Sequence, residues 1–510
     1  MQHRRVQTIV RGRWIVADPS LGEDGIIENG AVAVDDGGSI VEVADATVLR
    51  DRYPYADVEG GDGLAVVPGF IDAHSHGMGL SYFDLGLGYD HLESWNLDIP
   101  GVHRPDAYLD AIWCGIKHLL SGCTTIHHMG DSPDEQVRGY RRLGIRWALS
   151  VTVKNLNLLT LDDAAFARTL PGDLRRRMKT QLVPDARALE ADYFTRFRAV
   201  FEKYHAEHHP VMFGPMGPQW CTRDLLEGIA REAETLGTRI HMHAIQTPYQ
   251  RESVRRARGT SPARYLEETG VLGPNLTLGH GVWFDEEDWD ILAGAGVSVT
   301  HHASCNLQMR NGILPLPVLM SRGMTVAIGI DGKGINDDED MMQEMRMVEK
   351  LHRPADFTFD APPVVSPERI LEMATIGGAR TLGIDHLVGT LEPGKRADLC
   401  TIDMDRGPWV HPGMPVIDRI VMQGKSMDVD AVMVDGRVLV RGGCVVGLDE
   451  AALLKELVAS IGDRGGSDPE YLALLRELRP HVGRFYENWP LPGDGGVRPY
   501  YYMNRRARGV

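Results

Sequence analysis

Four histidines and one aspartate each close a short apolar run: His74 and His76 in AVVPGFIDAHSHG, His243 in TRIHMHAIQT, His280 in LTLGHGVWF and Asp331 in TVAIGIDGKGIN. Imidazole nitrogen and carboxylate oxygen are donors for divalent ions. A strand that ends in such a donor holds an ion on a rigid rim. His74 and His76 stand two apart, so on an extended strand both side chains leave the same face. Both can then reach one ion, at about 2.0–2.1 Å for zinc. Two polar residues in a turn after a strand is the plainer alternative, and the surrounding PGFIDAHSHG argues against it. His241 and His243 repeat the spacing; His243, nearer the strand end, is taken as the ligand and His241 as a hydrogen-bonded core histidine. Asp331 ends an apolar strand, where packing does not explain a carboxylate, because a buried charge is costly unless paired or bound to metal. There it can hold an ion and also take a proton from water. His280 can polarise a substrate oxygen, hold the nucleophilic water or bind a second ion. Together these groups imply a metal-dependent hydrolase.

The segments carrying these residues alternate with helical ones. Apolar strand candidates are AVVPGFIDAH, CTTIHHMG, IRWALSVTV, PVMFGPMG, TRIHMHA, LTLGHGV, VSVTHHAS and TVAIGID. Helical stretches such as DAYLDAIWCGIKHLLSG and RDLLEGIAREAETLG lie between them. Such alternation predicts an α/β fold with a closed (β/α)8 TIM barrel, whose active site lies at the C-terminal strand ends. Short strands with DDGG and DG turns at the two ends predict one small β-sandwich domain built around this inserted middle. The expected boundaries are 1–66 for the first part of the sandwich, 67–387 for the barrel, 388–447 for the second part and 448–510 for a helical extension and arm. Two insertions, LSYFDLGLGYDHLESWNLDIPGVHRP after strand one and NLNLLTLDDAAFARTLPGDLRRRMKTQLVPDARALE after strand three, lie on the catalytic side, as a lid or a subunit contact. The terminal PYYYMNRRARGV is read as an arm docked on a partner subunit.

With 510 residues, 43% hydrophobic and 25% charged, the chain suits a large core and a smaller unit. A formal charge of −17 disfavours nucleic acid and anionic membranes as partners. No stretch approaches the roughly 20 apolar residues of a membrane span, and the basic N-terminus lacks a signal-peptide core. The six cysteines are scattered without a CxxC pair, which suggests reduced thiols and a cytoplasmic setting.

From about residue 6 to 445 the chain resembles the amidohydrolase superfamily, in particular its triazine hydrolase and aminohydrolase branch, which holds chlorohydrolases and guanine, cytosine and adenosylhomocysteine deaminases. The motifs that carry it are PGFIDAHSHG, HMHAIQT, LTLGHGVWF, SVTHHASCNLQMRNGILP, VAIGIDGKGINDDEDMMQEMR and LEPGKRADL. The resemblance implies a homo-oligomer, dimer or higher, acting on a small molecule with one divalent metal ion. Zinc comes first, with iron, manganese or cobalt as alternatives. By motif position His74, His76, His243 and Asp331 match the metal ligands. His280 matches the strand-six histidine that contacts the water or the substrate, and His301 a histidine after strand seven near the site. Asn306 and Asn336 look like loop-positioning residues. Binuclear members carry a carboxylated lysine on strand four; strand four here has none and Lys154 ends strand three, which favours one metal.

One departure from the pattern bears on the reaction. Deaminases of this branch place a glutamate three residues after the third metal histidine, where this chain has Gln246. A carboxamide donates and accepts hydrogen bonds but is no acid or base at neutral pH, and acid–base help is worth roughly 10²–10⁴-fold. Asp331 would then carry protons alone. That suits hydrolysis of a non-peptide C–N bond of amide, urea or carbamate type, with His280 supporting the oxyanion. The alternative is an aminohydrolase or dechlorinase acting on a triazine, purine or pyrimidine-like ring. A third reading, a non-catalytic binding protein, has only Gln246 in its favour. Gln246, Gln219, Trp220 and His128 are the expected substrate contacts; His127 and Met78, with Phe83, Trp95 and Trp283 as apolar surface, are further candidates for the pocket.

Overall fold

The computed structural model describes residues 5–130, 133–156, 163–332, 338–353, 365–407, 413–462, 468–487 and 489. Eight parallel strands form the central sheet among these residues: β1 (Phe70–Ser75), β2 (Cys123–Gly130), β3 (Arg146–Val153), β4 (Val211–Pro215), β5 (Ile240–Ala244), β6 (Leu276–His280), β7 (Ser298–His301) and β8 (Val326–Ile328). They are hydrogen-bonded in chain order. All are buried along nearly their whole length, as strands covered on both faces must be. A parallel bridge between Ser75 and Asp331 joins the last segment to the first and closes the barrel. Gly329 permits that closure: a Cβ there would stand 2.8 Å from His74 Cβ.

The chain ends supply a second sheet of nine strands. The strand Asp57–Pro68 lies at its middle, parallel to Val6–Val16 on one side and antiparallel to Leu399–Asp403 on the other. Residues from both termini thus share one hydrogen-bonded layer, and the barrel is inserted between them. By connectivity the small domain is a single sheet, with apolar residues packed on both faces of its Val6–Val16 and Gly30–Asp35 strands. A buried ion pair fastens it to the barrel. Arg146, at the start of β3, donates to Asp398 at 2.8 and 2.9 Å and to Asp435 at 2.6 Å. A guanidinium taken out of water needs such planar, multiple pairing.

Both insertions form helices over the C-terminal rim. The first contains Leu92–Asp98; the second contains Asp163–Thr169 and Gly172–Gln181. The helix Pro469–Tyr486 packs on both through Leu474, Leu475, Leu478 and Val482, against Leu97, Phe166, Leu170 and Met178. Asn336 and Tyr500–Tyr502 lie outside the described residues. No described helix is long and apolar enough to cross a membrane.

Candidate active site

The β1 and β8 segments meet through their backbones at the rim. Asp331 N–H donates to the His74 carbonyl at 2.7 Å, and His76 N–H donates to the Asp331 carbonyl at 2.8 Å. This ladder brings side chains that are distant in sequence onto one spot. His76 Nε2 lies 3.2 Å from Asp331 Oδ1 and 3.3 Å from His243 Nε2. His74 Nε2 lies 3.8 Å from the same Asp331 oxygen. His74 Nε2 and Asp331 Oδ1 are buried and have no hydrogen-bond partner among the described residues. Buried polar atoms are normally satisfied. Two that face each other unpaired, within a set of three imidazoles and one carboxylate, fit a divalent ion of the zinc type.

The electrostatics agree. Burial, with neighbouring His302 and His243, holds the pKa of His74 well below the usual histidine range. Burial and His76 push His243 down to about 3. Both rings are therefore neutral and offer lone pairs. Burial opposes the charged form of Asp331, but the neighbouring His302, His76, His280 and His74 rings outweigh it and hold the carboxyl well below its ordinary range. Beneath the rim, His241 Nε2 lies 2.7 Å from His74 Nδ1, which fixes the His74 ring with Nε2 toward the site.

Two of these residues have left-handed backbones: φ is 71° at His280 and 75° at Asp331. Such conformations cost about 1–3 kcal/mol each and persist where surrounding structure over-determines them. At Asp331 the backbone ladder to β1 does so.

A chain of hydrogen bonds fixes His280. Gln250 Nε2 donates to Gln246 Oε1 at 3.2 Å, and Gln246 Nε2 donates to His280 Nε2 at 2.5 Å. His280 Nδ1 then carries the proton and donates to Asn306 Oδ1 at 3.0 Å. Burial and His302 also hold the ring's pKa well below the usual range. His280 is thus a neutral acceptor whose Nε2 lies 3.6 Å from Asp331 Oδ2.

Above the ligand cluster is a cavity of about 320 Å³. Its floor includes His76, His243, Gln246 and Asp331; Met78, Tyr82, Leu92, Trp95, Ile99, Met129, Met216 and Trp220 supply its apolar surface. Trp95 Nε1, Trp220 Nε1 and Gln136 Oε1 are buried in its lining without a hydrogen-bond partner among the described residues.

The sequence profile of the Amidohydrolase family matches residues 65–439. The chain belongs to this family. A 5-methylthioadenosine/S-adenosylhomocysteine deaminase of Desulfitobacterium hafniense is 35% identical over 403 residues, covering 77% of this chain and 84% of that protein. A 5'-deoxyadenosine deaminase of Methanothermobacter thermautotrophicus is 28% identical over 463 residues, covering 89% and 99%. Among solved structures, a zinc-bound adenosine deaminase from Xanthomonas campestris superposes with a TM-score of 0.74 at 22% identity, covering 93% of this chain and 99% of that one. The atrazine chlorohydrolase of Arthrobacter aurescens TC1, complexed with zinc, superposes at 0.76 with 23% identity, covering 89% and 99%. The protein is an amidohydrolase, a hydrolase of carbon–nitrogen bonds other than peptide bonds.

In this amidohydrolase His74, His76, His243, His280 and Asp331 converge as their motifs implied. His301 does not join them. Its Nε2 lies 2.9 Å from His352 Nε2, on the helical side of β7. The neighbouring His302 turns inward instead, with Nδ1 3.3 Å from Asp331 Oδ2. Successive strand residues face opposite sides, so a shift of one position exchanges the two roles. His280 was expected to support an oxyanion; its proton on Nδ1 makes it an acceptor at Nε2. Gln246, Trp220 and His128 line the cavity, and His128 Nδ1 is 3.2 Å from the Tyr140 hydroxyl. Gln219 is buried but does not line the cavity, and both of its amide atoms lack a partner among the described residues. Met78 and Trp95 are lining residues, whereas Phe83 is 69% exposed and Trp283 donates to the Asn311 carbonyl. Sequence reasoning missed Cys305, whose thiol donates to Asp331 Oδ2 at 2.8 Å, and Gln250, Gln136 and Arg104. Only Cys305 had a signal: it lies three residues after His302 in a quoted motif.

Proposed function

We propose that this amidohydrolase hydrolyses a non-peptide C–N bond at a carbonyl-type carbon of a small N-heterocyclic molecule, such as a cyclic amide or urea. His74, His76, His243 and Asp331 would hold a divalent ion, zinc first and one ion rather than two, which when bound would make a water nucleophilic near neutral pH. Asp331 accepts the proton of that water and returns it to the departing nitrogen. Its Oδ2 keeps hydrogen bonds from Cys305 and His302 that stabilise the ionised form. His280, held by Gln246 and Asn306, positions the Gln246 carboxamide beside Asp331. Trp95 Nε1, Trp220 Nε1 and Gln136 Oε1 give a heterocycle two donors and one acceptor.

The observation that carries this reading is the carboxamide of Gln246 beside His280, which leaves Asp331 as the single carboxylate in the cavity lining among the described residues. One shuttle suffices for a carbonyl carbon with an amine leaving group. Ring deamination must protonate both a ring nitrogen and ammonia, and calls for a second acid–base group. The aminohydrolase reading has its own support, since the relatives 28–35% identical are named as deaminases. We also propose that the protein is cytoplasmic and homo-oligomeric, on the resemblance and the scattered thiols.

The experiment is a metal assay followed by turnover on cyclic amides, ureas, carbamates and amino-substituted heterocycles, before and after chelation and reloading. Release of an amine or acid, lost on chelation and in Asp331→Asn, is the expected result. Ammonia release from the amino-substituted rings alone would replace this reading with the second one.

A further inference from the structure

We infer that Arg104 and the hydroxyl of Tyr82 form an anion subsite at the cavity mouth, which reads a carboxylate or phosphate carried by the substrate. The inference rests on the small-molecule hydrolase reading for the cavity's occupant.

Among the described residues Arg104 is the one arginine or lysine in the cavity lining, and it is exposed while His74, His243 and Asp331 are buried. It makes no ion pair among the described residues. Its guanidinium donates to the Tyr82 hydroxyl at 2.6 Å and approaches Met78 Sδ at 3.7 Å. Among the described residues these two contacts engage the minority of its five N–H donors. Other exposed arginines are spent on carboxylates, as Arg479 is on Asp90 and Asp98 and Arg198 on Glu232, whereas among the described residues Arg104 stands unpaired on a cavity wall. In a chain of charge −17, this cation on the cavity wall is a local point of attraction for an anion.

Its direction is fixed as well. The guanidinium carbon lies 5.2 Å from the centroid of the Tyr82 ring, a cation–π distance. Tyr82 is 6% exposed and packs edge-on against Trp95, with ring centroids 4.8 Å apart. Because the Tyr82 oxygen accepts from Arg104, its own hydrogen remains to donate. A guanidinium fork and a phenol O–H on one wall match two oxygens of an anion. The same cavity offers apolar surface from Met78, Leu92, Trp95 and Met216. The substrate class that fits is a flat heterocycle with an anionic oxygen group on a short tether.

The test uses matched heterocycle pairs in which a tethered carboxylate or phosphate is replaced by the alcohol. Binding is measured by calorimetry on the zinc-loaded protein and on zinc-loaded Arg104→Met and Tyr82→Phe. At least tenfold tighter binding of one anionic member by the native protein is expected, and the two anions identify the source. That preference should fall to about unity in Arg104→Met and shrink several-fold in Tyr82→Phe, with unchanged circular dichroism and zinc content. Equal affinity within every pair, a preference that survives in Arg104→Met, or no binding of any member at millimolar concentration would each overturn the subsite. The readout needs no turnover. A binding preference without C–N hydrolysis counts against the proposed function alone, and hydrolysis of neutral heterocycles without a preference counts against the subsite alone.

Discussion

Gln246 donates through its carboxamide nitrogen to Nε2 of His280, and this contact sets which nitrogen of the imidazole carries the proton. A carboxylate could not donate there. Gln246→Glu would instead draw a proton onto Nε2, turning His280 from acceptor to donor and placing a second acid–base group in the cavity. Hydrolysis of the amide- or urea-type substrate should fall about tenfold or more in kcat. Ammonia release from amino-substituted rings should rise, with unchanged metal content. Paired assays of both products, beside metal analysis, check this. A variant with native rates for both would mean that the Gln246–His280 bond does not govern the reaction.

The exchange of His301 and His302 gives a second prediction. His302 touches Asp331, whereas His301 is bonded to His352 away from the cavity. His302→Ala removes a donor that keeps Asp331 ionised, and turnover should drop about 10²-fold with modest loss of stability. His301→Ala should lower the melting temperature, because it removes a buried hydrogen bond to His352, worth about 0.5–1.5 kcal/mol, while kcat stays within a few-fold of native. Steady-state kinetics and thermal melts on both variants separate the two. The reverse pattern would restore His301 to the site.

That exchange also marks how far the sequence could be read. The ligand-bearing strands were legible because each ends an apolar run in a residue that packing does not explain, as at Asp331. The small domain was legible from DG-type turns at both ends, although its single nine-stranded sheet was not. His301 and His302 were not separable, since both lie at a strand end and only the pleat decides which faces inward. Arg104 and Gln136 carried no local pattern. They reach the cavity from the loop before the helix Ala107–Leu120 and from the helix Asp134–Leu143, and their roles come from tertiary placement.

A third prediction concerns pH and lies behind the metal cluster. His118 Nε2 is 2.8 Å from Asp72 Oδ2, and its Nδ1 is 2.9 Å from the Cys114 carbonyl. Both nitrogens face acceptors, so both carry protons. Burial opposes the charged ring, but the Asp72 hydrogen bond and the Glu339 charge outweigh it and raise its pKa to about 9. An unfolded histidine titrates near about 6.5. The stabilisation is therefore complete below about pH 6.5 and is lost as pH rises through about 9. Asp72 Oδ1 also accepts N–H bonds from His74 and Ile330, at 3.1 and 2.9 Å, so the pair braces the segments that carry two ligands. The native melting temperature should fall between pH 7 and 9.5. His118→Gln should start lower at pH 6.5 and decline less over the same window. Parallel slopes in the two proteins would rule out His118 as the titrating group.

The helix Pro469–Tyr486 supports the cavity from outside. Leu478 packs in the cluster that contains Leu97, while Leu92 and Trp95 of that same short helix line the cavity. Leu478→Ala should cost about 2–5 kcal/mol of local packing. That loss loosens the cavity wall without touching a ligand residue, because His74, His76, His243 and Asp331 stand on barrel strands and their immediate extensions. KM should therefore rise several-fold while kcat and metal content stay near native. Michaelis–Menten kinetics at saturating metal, set beside thermal melts, give the comparison. A fall in melting temperature with unchanged KM would show that the terminal helix stabilises the fold without shaping the substrate wall.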